Sequence, residues 1–311
     1  MKLKKELMLF SIISIVLLAG CARAPSAFIS GGTNGVIIKT FSPDLVTAEG
    51  GNSITFDLFV KNVGATKAEN LRATVFGLSN EWTNLSPQPQ LGKLFDLAPA
   101  TLSGADPSLN FEGEEGSASF SATTPSPGKA VDVTYDANAR VLYKYSTVSE
   151  NLLRLTTIDY LRSITPPGQP LPREFGVLNS QSSSGPLLIT VKTRLLTIPA
   201  GATTVKIQFE IQNVGGGRVF SGIVPSSGSP ATIPSTDLDV INSITVSAGT
   251  TCAGASSTVK LIGGKSRVLI CDVTVGTLPS GGFTDQAVKF TLNYNYFVET
   301  ATQVSVLKAL T

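Results

Sequence analysis

The chain of 311 residues contains no histidine, and its only two methionines, Met1 and Met8, lie at its very start. Without imidazole, neither a Ser-His nor a Cys-His nucleophile pair can be assembled, and zinc sites that need a histidine ligand are excluded as well. Carboxylate-only or lysine-based chemistry stays open. Charge is scarce too: beyond residue 20 the basic and acidic side chains number 21 each, so that part of the chain is neutral. With no basic stripe and no run of one sign, a nucleic acid is not an expected partner. No cofactor or metal is expected either. Asp237 and Asp239, like Glu112, Glu114 and Glu115, lack the spacing of a calcium loop and read as solvated loop charge. Gly264-Lys265-Ser266 lacks the earlier glycine of a phosphate loop, Val259 standing in its place, and reads as a hairpin turn.

What is present begins with a leader. Lys2, Lys4 and Lys5 precede an apolar run over residues 7–20, the charge-then-apolar order of an export signal. As a helix the run would rise only about 21 Å against a hydrocarbon core of about 30 Å, too short for an ordinary span. It closes on Leu18-Ala19-Gly20-Cys21, which resembles a prokaryotic lipoprotein cleavage and lipidation site. The resemblance implies cleavage before Cys21 and a diacylglyceryl group on its thiol. Residues 1–20 would then be a signal peptide and residues 21–35 a flexible lipid-anchored tether. Two acyl chains are enough for stable membrane attachment. The expected location is extracytoplasmic and membrane-anchored, at the cell surface or in the periplasm. An uncleaved or plain secretory leader is the alternative.

Three cysteines less the lipidated one leave Cys252 and Cys271 for one disulfide in an oxidising compartment, with two buried free thiols as the alternative. Spacing poses a condition. If residues 263–266 form a four-residue hairpin loop, Cys271 faces Thr258, and the preceding segment must fold back before the sulfurs can meet.

Self-comparison reveals two copies related by a shift of 151 residues. Ile54, Phe56, Leu58, Val60, Asn62, Val63 and Gly64 correspond to Val205, Ile207, Phe209, Ile211, Asn213, Val214 and Gly215. Under the same shift Phe120 falls on Cys271, and Val141, Tyr143 and Tyr145 fall on Leu292, Tyr294 and Tyr296. These stretches alternate apolar and polar residues, the mark of strands with one buried face, and sustained helical spacing is missing. The paired tyrosines share a face, with hydroxyls able to reach a rim. Residues 150–163 suit a helix by composition, but registration with residues 301–311 favours a final strand. The expected organisation is one sandwich over residues 36–162, a Pro- and Ser-rich linker over residues 163–186, and a second sandwich over residues 187–311. Part of the linker, around residues 174–178, suits an edge strand.

Lys61-Asn62-Val63-Gly64, followed by Ala68, Asn70, Leu71, Ala73 and Val75, is similar to the strand–turn–strand core of CARDB-type immunoglobulin-like surface domains, and Gln212-Asn213-Val214-Gly215 repeats it. Asn and Gly there suit a tight backbone after a buried strand. The second copy departs after the turn, at Gly216, Gly217 and Arg218, leaving its next strand open. The resemblance implies an all-β fold class, two tandem immunoglobulin-like antiparallel β-sandwiches after a signal peptide. It also implies a non-catalytic structural or adhesive role in the cell envelope, with the membrane as one partner and an envelope protein or glycan as another. Low net charge and long alternating strands admit self-association as well, in a filament subunit that exchanges strands. An accessory or solute-binding lipoprotein is a third reading. Trp82, in the insertion over residues 78–113, reads as the plug of a sandwich end or else as an exposed binding aromatic. Asn84-Leu85-Ser86 is a glycosylation sequon disfavoured by Pro87.

Overall fold

Alternation becomes strand throughout the first copy. β1 (Val36–Pro43), β2 (Thr47–Ala48), β3 (Ser53–Asn62), β4 (Glu69–Phe76), β5 (Thr83–Ser86), β6 (Phe95–Asp96), β7 (Glu115–Thr123) and the long β8 (Val133–Thr157) follow one another. Helix α1 (Ile158–Ile164) and β9 (Gly176–Ser182) lead to the second copy. There β10 (Leu187–Val191), β11 (Thr197–Ile198), β12 (Thr204–Asn213), β13 (Arg218–Phe220), β14 (Val240–Ile241), β15 (Ser243–Val246), β16 (Thr250–Cys252), β17 (Val259–Lys260), β18 (Ser266–Thr274) and β19 (Phe283–Val306) complete the chain. A computed structural model describes residues 34–311 except positions 89, 127–130, 171, 173–174, 194–195, 200, 256–257, 277–281 and 309–311. The leader and Cys21 lie outside the described residues. β12 and β18 fall on β3 and β7 under the 151-residue shift, end for end.

The protein is an all-β sandwich of antiparallel sheets. One small sheet has the order β1-β3-β7-β5, and its counterpart in the second copy has the order β10-β12-β18-β16. The inward residues of β3, Ile54, Phe56, Leu58 and Val60, are buried, as are Val205, Ile207, Phe209 and Ile211 of β12. Each such side chain contributes about 1.5–3 kcal/mol of burial. Both small sheets pack on one long nine-stranded sheet built around β8 and β19, which are paired antiparallel along the whole of β19. Cross-strand partners share a face. Val141, Tyr143, Tyr145, Leu153 and Leu155 of β8 are buried on the same face as their β19 partners, so both small sheets sit side by side on one side of the long sheet. A single continuous core runs through both copies.

The rung Lys144–Asn295 joins two residues that are repeat equivalents, so a pseudo-two-fold axis passes through it. Beyond that rung each long strand runs on beside the other copy. β11 of the second copy adds in parallel to the end of β8, at Thr156 and Thr157, and β2 of the first copy adds in parallel to the end of β19, at Ser305 and Val306. The copies therefore exchange strand ends reciprocally, and the long sheet is continuous from one to the other.

One stretch differs from what the sequence suggests, and two that it leaves open take a definite form. Residues 150–163 are strand only to Thr157; a helical turn then starts because the Thr157 hydroxyl caps the backbone N–H of Tyr160 at 3.2 Å and Leu161 buries completely. Within residues 163–186, β9 pairs with Ser149–Arg154 of β8 over Gly176–Ser182, close to the edge strand expected near residue 174, itself outside the described residues. In the second copy the strand after the turn is short: β13 takes the place of the start of β4, pairing Phe220 with Asn295 as Glu69 pairs with Lys144.

Candidate functional site

At the waist of the molecule, around the pseudo-two-fold axis, four tyrosines pack together. Ring centroids of Tyr143 and Tyr296 lie 5.9 Å apart and those of Tyr145 and Tyr294 6.1 Å apart, and all four are buried. Their hydroxyls do not reach a rim, contrary to the sequence expectation; they end inside, on backbone and side-chain groups of neighbouring strands and turns. The Tyr143 hydroxyl accepts from the Val36 N–H at 3.1 Å. That of Tyr145 accepts from the Thr66 N–H and donates to the Ser184 carbonyl, both at 3.2 Å. In the second copy the Tyr296 hydroxyl accepts from the Gly217 N–H at 2.9 Å and donates to Asn213 Oδ1 at 2.8 Å, while Tyr294 and Thr147 share a bond of 2.7 Å. Burial is the main cause that raises every one of these phenols: Tyr143 and Tyr294 well above the usual value, Tyr145 upward, and Tyr296 to about 12. They stay protonated and serve as struts.

The Asn-Val-Gly turns are the other half of this lock. Asn62 Nδ2 donates to the carbonyls of Thr66 and Leu102, and Asn213 Nδ2 to those of Gly217 and Gly264. Gly64 and Gly215 are not among the residues with positive φ, which corrects the turn-conformation argument for them. Space is the reason instead. A Cβ on Gly64 would overlap the Tyr145 hydroxyl, and one on Gly215 would lie 2.5 Å from that of Tyr296. Sequence periodicity finds the tyrosines and the glycines separately; no local signal says that one fills the space left by the other.

The remaining singled-out residues disperse. Trp82 is buried and packs at a tilt against Phe56 and edge-on to Tyr135 at 5.5 Å, so it is a plug. Asp239 holds Arg218 through two contacts of 2.7 and 3.1 Å. Glu112 and Glu115 pair with Lys61 and Lys39, each at 2.8 Å, while Glu114 accepts from the Ser103 N–H. The Gly264-Lys265-Ser266 segment is a hairpin turn, with Gly263 and Gly264 at positive φ. Asn84 is exposed and donates to Thr123 Oγ1 at 3.2 Å. Among the described residues no group of three or more His, Cys, Asp or Glu side chains could hold a metal ion.

Cys252 and Cys271 form the disulfide. They are direct cross-strand partners of β16 and β18. The fold-back that the spacing demands is made by β17, which leaves the hairpin at Val259 and Lys260 to pair with β14 and so clears the flank of β18. In the first copy the equivalent position holds Phe120, packed on Phe56 with centroids 6.0 Å apart.

On the opposite face of the long sheet a small second core covers the waist: Leu142, Phe297 and Phe220 from the sheet, Leu94 from the insertion over residues 78–113, and Val224 and Ala231 from a second insertion over residues 221–239, between β13 and β14. The insertions pair with each other, Leu94 N–H to the Ser229 carbonyl at 2.9 Å and Gly228 N–H to the Leu94 carbonyl at 2.7 Å. A shallow groove of about 200 Å³ beside the axis is bordered by Asn34, Pro186, Gly215, Tyr296 and Glu299. No helix among the described residues is long and apolar enough to cross a membrane.

No protein-family model matches the chain, and no curated protein sequence matches it. Solved structures with some likeness include the secreted serine protease VesC from Vibrio cholerae, at 10% identity and a TM-score of 0.19, over 82% of this chain and 50% of that one. The chain thus spans about half the length of VesC. Another is the collagen adhesin CNA from S. aureus, at 9% identity and a TM-score of 0.12, over 88% of this chain and 86% of that one. Likeness at this level carries no argument about function.

Proposed function

We propose that the protein is a lipid-anchored, non-catalytic component of a prokaryotic cell envelope, structural or adhesive in role. One observation carries the reading: a charged and then apolar leader that closes on Leu18-Ala19-Gly20-Cys21. The Cys252–Cys271 bridge supports it, because disulfides persist in oxidising compartments. The lack of histidine and the commitment of Glu112, Glu114 and Glu115 to ion pairs and a backbone contact favour a role without catalysis. Mechanically, the reading assigns the protein a stiff double sandwich: the β8–β19 ladder resists bending between the copies, and loops and insertions supply the contacts. The test is palmitate labelling in a prokaryotic host, with label on the wild type and none on Cys21→Ala; label that persists in the variant ends the proposal.

Self-assembly by strand exchange is the second reading, favoured by low net charge and by β1 and β10 being end strands of their small sheets among the described residues. It ranks lower because the longest strands already exchange within the chain. Monomeric elution at high concentration, with no fibres by microscopy, removes it.

A further inference from the structure

The two small sheets lie on the same side of the long sheet, so their outer faces look the same way. That shared side carries several exposed large apolar residues. Phe59 of β3 and Ile270 of β18 point outward between buried neighbours, and Val268 is exposed on the same face of β18 as Ile270. Leu109 and Phe111 crown the loop that enters β7, and Ile262 crowns the hairpin that enters β18. Phe111 and Ile262 are repeat equivalents under the 151-residue shift. These six are between 41% and 76% exposed. Both tips are held firmly from below: Phe111 is bridged to Asp106, and Ile262 to Ser266.

The chain enters this side of the molecule at the seam between the small sheets. The Gly35 carbonyl accepts the Val63 N–H at 2.9 Å, and a Cβ on Gly35 would lie 3.0 Å from the Pro186 ring. Residues 22–34 separate Gly35 at this seam from Cys21, and the fully extended reach is at most about 50 Å. On the anchoring reading above, a lipid on Cys21 keeps the waist within that distance of a bilayer at all times. Tethering of this kind raises effective concentration to the millimolar range, at which weak apolar contacts become occupied. The ionic setting is compatible. Lys39, Lys61, Lys192 and Lys206 are each paired with a carboxylate at 2.8 Å, whereas Lys265 and Arg267, beside Ile262 and Val268, have no ion pair among the described residues.

We propose that this side of the waist is a membrane-docking surface: Leu109, Phe111 and Ile262 enter the headgroup region of the bilayer that holds the tether, and Lys265 and Arg267 meet anionic lipid. The inference rests on the lipid-anchor reading. Docking would lay the double sandwich along the membrane, with the paired insertions on the far side facing outward.

The experiment uses the full-length protein made in a prokaryotic host and reconstituted into phosphatidylcholine–phosphatidylglycerol vesicles with brominated acyl chains, which quench tryptophan by contact. Phe111→Trp, Ile262→Trp and, on the far side, Ile223→Trp, whose native residue is 86% exposed, are compared against the common background of buried Trp82. Emission from positions 111 and 262 is expected to fall by half or more, with position 223 unchanged. Intact mass on the same samples reads the acylation. An acylated protein with no quenching at 111 and 262, or with equal quenching at all three positions, overturns docking and leaves the anchor standing. An unacylated protein overturns the anchor and docking with it. Cross-linking between copies at position 111 without quenching gives the surface to a second copy of the chain and also overturns the proposal.

Discussion

Replacing Gly64 by alanine adds one methyl group to a turn whose backbone any residue can adopt, so its effect isolates the contact between turn and tyrosine. The new Cβ would overlap the Tyr145 hydroxyl and lie 3.0 Å from the Ser184 carbonyl. The phenol is flanked by Tyr143 and Tyr294 and cannot swing aside without disturbing them. Overpacking of this kind costs about 1–3 kcal/mol. Displacing the hydroxyl also strips the Thr66 N–H of its partner, at about 1–3 kcal/mol for a buried group left unsatisfied, whereas the Ser184 carbonyl keeps the Ala65 N–H at 2.9 Å. Gly64→Ala should therefore lose about 2–5 kcal/mol in equilibrium urea unfolding. Tyr145→Phe alone should lose about 1–2 kcal/mol, by removing the hydroxyl while leaving the ring. In the double variant the clash is relieved, and the two losses should sum to more than the measured total by at least about 1 kcal/mol. A Gly64→Ala protein within about 0.5 kcal/mol of the wild type, or strict additivity in the cycle, would refute the steric argument.

Alkaline pH should unfold the protein through the same tyrosines. Their folded pKa values are raised, Tyr296 to about 12, so the native state holds protons that the unfolded chain releases; stability is unaffected below about pH 10 and falls above it, by up to about 1.4 kcal/mol per pH unit for each tyrosine. Urea midpoints measured from pH 8 to 11.5 check this, and a flat profile contradicts it. Reducing the Cys252–Cys271 bridge, which closes a 19-residue separation, should cost about 3 kcal/mol in the chain-entropy model without loss of the fold, as judged by circular dichroism and urea titration with and without reductant. Trp82→Ala should cost about 3–5 kcal/mol by leaving a cavity against Phe56 and Tyr135, whereas an exposed binding residue would leave stability unchanged.

Much of this architecture can be read locally. Ile54 to Val60 and Val205 to Ile211 alternate because each strand buries one face, and that rule needs no knowledge of the partner strand. The duplication survives in the same way: Tyr143 and Tyr145 recur as Tyr294 and Tyr296 with their spacing intact. The disulfide partners followed from counting thiols, although the route that brings them together did not. β17 leaves its hairpin because Val259 buries beside Ile241 of β14, a contact 18 residues distant in the chain. The end of β8 was misread because registration with the second copy carries no information about a cap, and the Thr157 hydroxyl decides that turn. Nor did the candidate lock at the waist announce itself, since Gly64 and Tyr145 are far apart in sequence and each has an ordinary local explanation.

By itself the sequence determined the alternating strands and their buried faces, the two-fold repetition and the identity of the cysteine pair, because burial and periodicity act on neighbours along the chain. Only the tertiary structure decided which copy each long strand would lie beside. The alternation in β8 and β19 is the same, so the pattern suits pairing within a copy or between copies equally well. What selects the exchanged arrangement is the sum of contacts that meet around Lys144 and Asn295: the tyrosine quartet, the glycines that admit its hydroxyls, and the parallel additions of β2 and β11 at the far ends.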